Sequence, residues 1–186
     1  ALISERKFLW NDDNIELLAK RIGLTPGKTI ADIGCGLGYL GYIYGKFIMP
    51  KGKCIGVDSN KKLLQMASKS AAAHKLTRYF SFIEGNALKI PLPDESVDSA
   101  MCQTLLMHLK NPGAVVKELV RITRKHGKIV VFEPNNLIGA ISGWDNLRGE
   151  LSVKQLLENI DLYCRQFNGR RKLGLGDQRI GEKVSY

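Results

Sequence analysis

The strongest chemical signal in the chain is Asp32-Ile33-Gly34-Cys35-Gly36-Leu37-Gly38. Three glycines at alternate positions follow an apolar run and precede a helical stretch. Glycine tolerates positive φ and lets a ligand approach the backbone without a Cβ. A helix N-terminus beyond such a loop favours an anion. A tight turn alone needs fewer glycines, so the segment is expected to hold a ligand. Gly36-Leu37-Gly38-Tyr39-Leu40-Gly41 also matches G-x-G-x-x-G, with Asp58 following at about the distance of the dinucleotide fingerprint. The register argues against that ligand. The fingerprint's first glycine directly follows a strand, whereas here Asp32 and Gly34 intervene. A carboxylate at Asp32 would repel a pyrophosphate and suits a ligand that carries an ammonium group.

The elements that position these residues follow from periodicity and turn chemistry. A first helix is predicted over 11–22, with Ile15, Leu18, Ala19 and Ile22 on one face. Strands are predicted at 29–33, 53–57, 80–83, 97–101 and 128–132. Helices are predicted after the glycines to about Phe47, from Ser59 or Asn60 through Ala73, and from Asn111-Pro112. Strict alternation implies an α/β fold, a doubly wound, mostly parallel sheet with helices on both faces. Ligands of such folds bind beyond the carboxyl ends of the strands. That rule gathers Asp32 to Gly38, Asp58, Asn86, Gln103 and Glu133 around one crevice. Residues 137–150 read as irregular, with no further strand. Ser152-Val153-Lys154-Gln155 opens a helix to about Tyr163, and another helix begins near Asp177.

Length and composition set the limits. The 186 residues suit one domain, and 44% hydrophobic residues can form a core. Residues 1–136 are expected to form a ligand-binding core with an N-terminal helix. Residues 137–186 are expected to form a helical cover on the substrate side, within the same domain. No apolar run is long enough to span a bilayer. The start, Ala1 to Lys7, lacks an initiator Met, and its charges interrupt any signal-peptide core. A processed chain or a fragment is therefore expected. Cys35, Cys54, Cys102 and Cys164 form no C-x-x-C pair and have no His at ligand spacing. No metal site is expected, and a reducing, cytoplasmic setting is. The net charge of +10 concentrates in 105–128 and 165–186. It permits nucleic acid as a partner, but no recognised binding motif accompanies it, so that partner is not favoured. Oligomeric state is not legible.

Five segments together resemble the class I S-adenosylmethionine-dependent methyltransferases, over about Ile30 to Asn135. The Asp32–Gly38 segment resembles that family's D-x-G-x-G-x-G motif. Gly56-Val57-Asp58-Ser59 resembles its second motif, whose acidic residue holds the ribose hydroxyls. Gly85-Asn86-Ala87 with Ile90-Pro91-Leu92-Pro93 resembles the third, with Asn in place of the usual Asp. Val97-Asp98 through Leu109 resembles the fourth strand and its loop, and Glu133-Pro134-Asn135 resembles the end of the fifth.

The resemblance implies S-adenosyl-L-methionine as cofactor, bound by Asp32, Gly34, Cys35, Gly36, Gly38, Asp58, Ser59, Asn86, Ala87, Gln103 and Thr104. Asp58 can accept hydrogen bonds from two adjacent hydroxyls, and Asn86 can meet an adenine edge with donor and acceptor together. The alternatives are a helix cap for Asp58 and an ordinary loop amide for Asn86.

Methyl transfer from a sulfonium asks the protein mainly for alignment, and a base only where the acceptor starts protonated. His108 is the candidate base, or else a packed or solvent-facing histidine. Glu133 either orients a substrate or bonds backbone amides. Trp10 and Tyr39 either cover the cofactor or serve as hydrophobic anchors. Arg170-Arg171-Lys172 either meets an anionic substrate or is solvated. Cys102-Gln103-Thr104-Leu105 is not the N/D-P-P-Y/F pattern of enzymes that methylate nucleobase amines, so a small-molecule acceptor is expected. The rival readings are an NAD(P)-dependent oxidoreductase on a similar fold and a non-catalytic cofactor- or partner-binding domain. The family's sheet normally continues with a sixth and an antiparallel seventh strand. Their absence from the pattern implies a C-terminal truncation and an open sheet edge.

Overall fold

A computed structural model describes residues 12–135 and 140–145. Helix α1 (Asp12–Ile22) leads into β1 (Thr29–Ile33), α2 (Tyr39–Ile48), β2 (Lys53–Asp58) and α3 (Lys61–Ala73). Then come β3 (Phe80–Glu84), β4 (Val97–Gln103), a 3-10 turn (Leu106–His108), α4 (Pro112–Ile122), β5 (Thr123–Asn135) and β6 (Ala140–Asp145). The sheet order is β3-β2-β1-β4-β5-β6. The first five strands run parallel and β6 is antiparallel to β5. The order reverses between β1 and β4, so the crevice opens at the carboxyl ends of those two strands.

Period-two alternation sends the strand side chains to two cores. On one face Ala31, Ile33, Ala100, Cys102 and Val131 meet Val115, Val116, Leu119 and Ile122 of α4. On the other, Ile30, Cys54, Met101 and Val130 meet Ile15, Ala19 and Ile22 of α1 and Leu40, Tyr44 and Ile48 of α2. Leu119 and Ile122 are fully buried, and each contributes about 1.5–3 kcal/mol by leaving water. Asn111 caps α4 by accepting from the Ala114 amide, with Pro112 at the first helical position, as the sequence predicts.

Two elements differ from the sequence expectation. The fifth strand begins at Thr123, directly after α4, where Val97 pairs with Thr123 before the register shifts to Ser99 and Lys128. The intervening residues bulge, His126 takes φ +66, and a Cβ on Gly127 would sit 2.7 Å from the Asp98 carbonyl. Gly127 thus marks a bulge within a strand and not a gap before one. The second difference is β6, in a segment predicted to be irregular and without a strand. Ala140-Ile141-Ser142-Gly143-Trp144-Asp145 shows little alternation. The strand forms because the edge of β5 offers unpaired backbone groups, from Val130 opposite Asp145 to Asn135 opposite Ala140. The sheet edge expected to be open at β5 is therefore covered. Trp10, Cys164, the predicted helices from Ser152 and Asp177, and Arg170-Arg171-Lys172 lie outside the described residues.

Candidate cofactor site

The glycine loop is held in place by β2. Gly34, Gly36 and Gly38 have φ of +71, +52 and +77, values that only glycine adopts readily. The Gly34 and Cys35 amides both donate to the Val57 carbonyl, at 2.8 and 3.1 Å. Gly38 is the N-cap residue of α2 and has no side chain to satisfy the helix's first amides. Asp32 supplies one from below: it is 2% exposed, and its Oδ2 accepts from the Gly41 amide at 3.2 Å. A negative charge there also suits the helix dipole. The carboxylate expected to meet a ligand's ammonium group thus has an internal partner. Cys35 contributes backbone to the loop. Its thiol is buried, and burial first, with Asp32 and Asp58 adding, pushes its pKa far up, so it is no nucleophile.

Asp58 closes the loop from the far side. Its Oδ2 accepts from the Gly36 amide at 2.8 Å, and its Oδ1 accepts from the Asn60 amide at 2.8 Å. Capping α3 falls to Asn60, whose Oδ1 accepts from the Lys62 and Leu63 amides. A carboxylate oxygen has two acceptor positions, so each oxygen of Asp58 keeps one beyond these amides. Beside it, Ser59, Glu84, Gly85 and Asn86 line a hollow of about 540 Å³. Asn86 is exposed, and its Oδ1 accepts from the Leu88 amide at 2.8 Å, which leaves its NH2 directed away from that turn. Ala87 is half-buried and packs against the α4-side core.

The loop that carries Asn86 is clamped from α4. Arg121 donates from Nε and Nη2 to the two oxygens of Glu118, at 2.7 and 2.8 Å. It also donates to Asp94 and to the carbonyls of Leu92 and Ile90. Glu118 accepts from the Ile90 amide at 2.7 Å. Pro91 is thereby pressed onto Gly85, where a Cβ would lie 2.6 Å from its ring. Glu84, Glu118 and Arg121 were not singled out from the sequence. Only the Glu-x-x-Arg spacing on a predicted helix hinted at the pair.

At the end of β4, Gln103 and Thr104 are half-buried beside the crevice. Thr104 has φ +52, a strain of about 1–3 kcal/mol for a β-branched residue, and its amide donates to the Phe132 carbonyl at 2.7 Å. Glu133, expected to face the crevice, is fully buried. Its Oε1 accepts from the Leu105 and Leu106 amides at 2.9 and 2.8 Å, which is the backbone role of the two left open. Burial pushes its carboxyl up, and the Leu106, Leu105 and Met107 amides only partly offset this. His108 ends the 3-10 turn and is exposed. Tyr39 begins α2 and is half-buried. Among the described residues no group of His, Cys, Asp or Glu could hold a metal.

Comparison with known proteins agrees with this geometry. The profile of a methyltransferase domain matches residues 24–172. Demethylmenaquinone methyltransferase of Geobacillus sp. is 30% identical over 142 residues, 75% of this chain and 58% of that protein. The Lactobacillus johnsonii protein of the same name is 29% identical, over 68% of this chain and 53% of its own length. The chain therefore spans about half the length of these curated relatives. The solved structure of a SAM-dependent methyltransferase from Aquifex aeolicus superposes with a TM-score of 0.58 at 26% identity, covering 70% of this chain and 71% of that one. With five parallel strands, flanking helices and a glycine loop tied to an acidic residue at the end of β2, this chain belongs to the methyltransferase-domain family and has the fold of its class I members.

Proposed function

We propose that the chain is an S-adenosyl-L-methionine-dependent methyltransferase acting on a small-molecule acceptor. The observation that carries this reading is the joint between Gly36 and Asp58. It holds a loop that lacks a Cβ at Gly34, Gly36 and Gly38 beside a carboxylate that keeps two acceptor positions. Among the described residues a Cβ at Gly36 would meet only Leu63, at 4.0 Å, so those residues leave space over the loop. A ribose diol fits the two remaining positions of Asp58, and an adenine edge fits Asn86 above the hollow with Ser59 and Ala87 beside it. The loop backbone of Gly34, Cys35, Gly36 and Gly38, with Gln103 and Thr104, would face the methionine portion. Asp32 supports this arrangement through α2.

When bound, the cofactor would supply a sulfonium-activated methyl group, for in-line attack by the acceptor's nucleophilic atom with the cofactor's sulfur leaving as the neutral thioether. The chain's own contribution is alignment and the exclusion of water, and proximity of that kind is worth roughly 7–11 kcal/mol of barrier. His108, on the turn after β4, would take the proton that the acceptor releases. Glu133 holds that turn. The names of the relatives point to a reduced naphthoquinone as the first acceptor to try. Another, from Trichormus variabilis, is a 2-phytyl-1,4-naphtoquinone methyltransferase, 29% identical to this chain.

Among the described residues no helix is long and apolar enough to cross a membrane. The free thiols of Cys35, Cys54 and Cys102 support a cytoplasmic setting. The test is methyl transfer, read by mass spectrometry, from S-adenosyl-L-methionine to reduced naphthoquinones and then to other small phenols and amines. A methylated product, reduced by His108→Ala with cofactor affinity unchanged, is the expected result. Absence of cofactor binding would overturn the reading.

A further inference from the structure

We propose that Glu133 is a positioning residue for the cofactor, acting through Thr104–Leu106 and Leu105 onto the first glycine of the loop. The inference rests on the function proposed above and adds to it a residue that never touches the ligand. Three observations carry it. Glu133 is fully buried at the end of β5, and one of its oxygens holds two successive amides, Leu105 and Leu106, at 2.9 and 2.8 Å. The residue before them, Thr104, is in the left-handed region, and its amide is fixed to the Phe132 carbonyl, next to Glu133 in the chain. A β-branched residue holds that conformation only when its surroundings impose it. Finally, the Leu105 side chain stands against Gly34: a Cβ there would lie 2.9 Å from Leu105 Cδ1.

The contacts form a continuous path. The carboxylate latches the turn, the turn aims Leu105, and Leu105 backs the glycine loop at Gly34, two residues from the Asp58 anchor at Gly36. The loop is thus held between two carboxylates, Asp58 through the Gly36 amide and Glu133 through Leu105. Among the described residues the second oxygen of Glu133 has no hydrogen-bond partner. The latch to Leu105 and Leu106 uses the other oxygen, so Glu133→Gln should preserve it through its carbonyl, and Glu133→Ala should open it.

The test combines amide hydrogen exchange with calorimetric titration of S-adenosyl-L-methionine, on the full chain and on Glu133→Gln, Glu133→Ala and Leu105→Ala. Expected in Glu133→Ala are faster exchange at Leu105 and Leu106 and, with it, at Gly34 to Gly38, and a tenfold or greater rise in Kd. Glu133→Gln should restore both readouts to within about threefold of the native chain. Leu105→Ala should loosen Gly34 to Gly38 and weaken binding while the Leu105 and Leu106 amides stay protected. This variant also keeps the test decisive if Glu133→Ala does not fold. Unchanged exchange at Gly34 to Gly38 in Leu105→Ala would overturn the proposal. Coupled exchange in a native chain that binds no S-adenosyl-L-methionine would support the latch and overturn the cofactor reading.

Discussion

Alanine at Gly36 separates a ligand-binding loop from a merely tight turn. Gly36 has φ +52, and among the described residues a Cβ there would meet nothing nearer than Leu63 Cδ1 at 4.0 Å. The described residues therefore offer no steric objection to the methyl group, and the folding cost is that of the left-handed backbone, about 1–2 kcal/mol. For a chain of this size that corresponds to a fall in Tm of roughly 2–8 °C. Gly23, after α1, gives a matched control: its φ is +76, and among the described residues nothing lies within 4 Å of a Cβ there. Gly23→Ala should have a similar folding cost and leave ligand affinity alone. If the cofactor lies over the loop, Gly36→Ala inserts a methyl group into that contact. Overpacking of this kind costs about 1–3 kcal/mol, roughly five- to 150-fold in Kd. Calorimetric titration with S-adenosyl-L-methionine, beside thermal unfolding of both variants, checks the pair. Equal affinities for Gly36→Ala and Gly23→Ala would refute the cradle and leave the glycines as turn formers.

Further outcomes follow from the same contacts. Arg121→Lys keeps the charge but loses the paired bonds to Glu118 and the carbonyl contacts, so a loss of about 1–3 kcal/mol in denaturant unfolding is expected. Burial opposes ionisation of Asp98, but the Thr29 amide, Lys28 and Arg124 outweigh it. The Arg121 hydrogen bonds hold Glu118 down, against some desolvation. Folding favours both ionised forms, so this stability is present above the ordinary values of 3.8 and 4.5 and is lost as pH falls through and below them. Asp98→Asn should flatten that acid limb in urea titrations run at several pH values. Glu133 has the opposite sign: its raised pKa adds stability below 4.5 that fades as pH rises through the folded-state value, and Glu133→Gln should remove that fading. Burial pushes the Cys54 and Cys102 thiols up, and a thiol reagent at pH 8 should leave both unmodified until the chain unfolds.

Much of this fold is legible in the sequence because strands buried on both faces read as apolar runs. Thr29-Ile30-Ala31-Asp32-Ile33 and the run ending at Val57 are examples, and their bounds match the structure to within a residue. The helix starting at Asn111-Pro112 is legible from its cap. What the sequence hides is set by contacts distant in the chain. Strand β6 exists because β5 offers an edge, and no local pattern in 140–145 announces that. Gly127 looks like the end of a helix unit, yet Thr123 already pairs with Val97.

The candidate site divides in the same way. The glycines and Asp58 stand out by type and spacing, but the Gly36–Asp58 bond joins residues 22 apart. The bond that Asp32 accepts from Gly41, 9 residues on, is not legible in the sequence, because it depends on how α2 docks. Strand position alone points Glu133 toward the crevice. Its partners, 28 and 27 residues back, turn it inward.

The most direct test of the central claim is calorimetric titration of the chain with S-adenosyl-L-methionine and, separately, with NADH, with Asp58→Ala as control. Removing that carboxylate deletes two charge-assisted acceptors, each worth about 1.5–3 kcal/mol, together with the Gly36 anchor. The expected result is binding of S-adenosyl-L-methionine that is lost or weakened at least a hundredfold in Asp58→Ala, and no binding of NADH. Binding of NADH alone, or S-adenosyl-L-methionine binding indifferent to Asp58, would contradict the account.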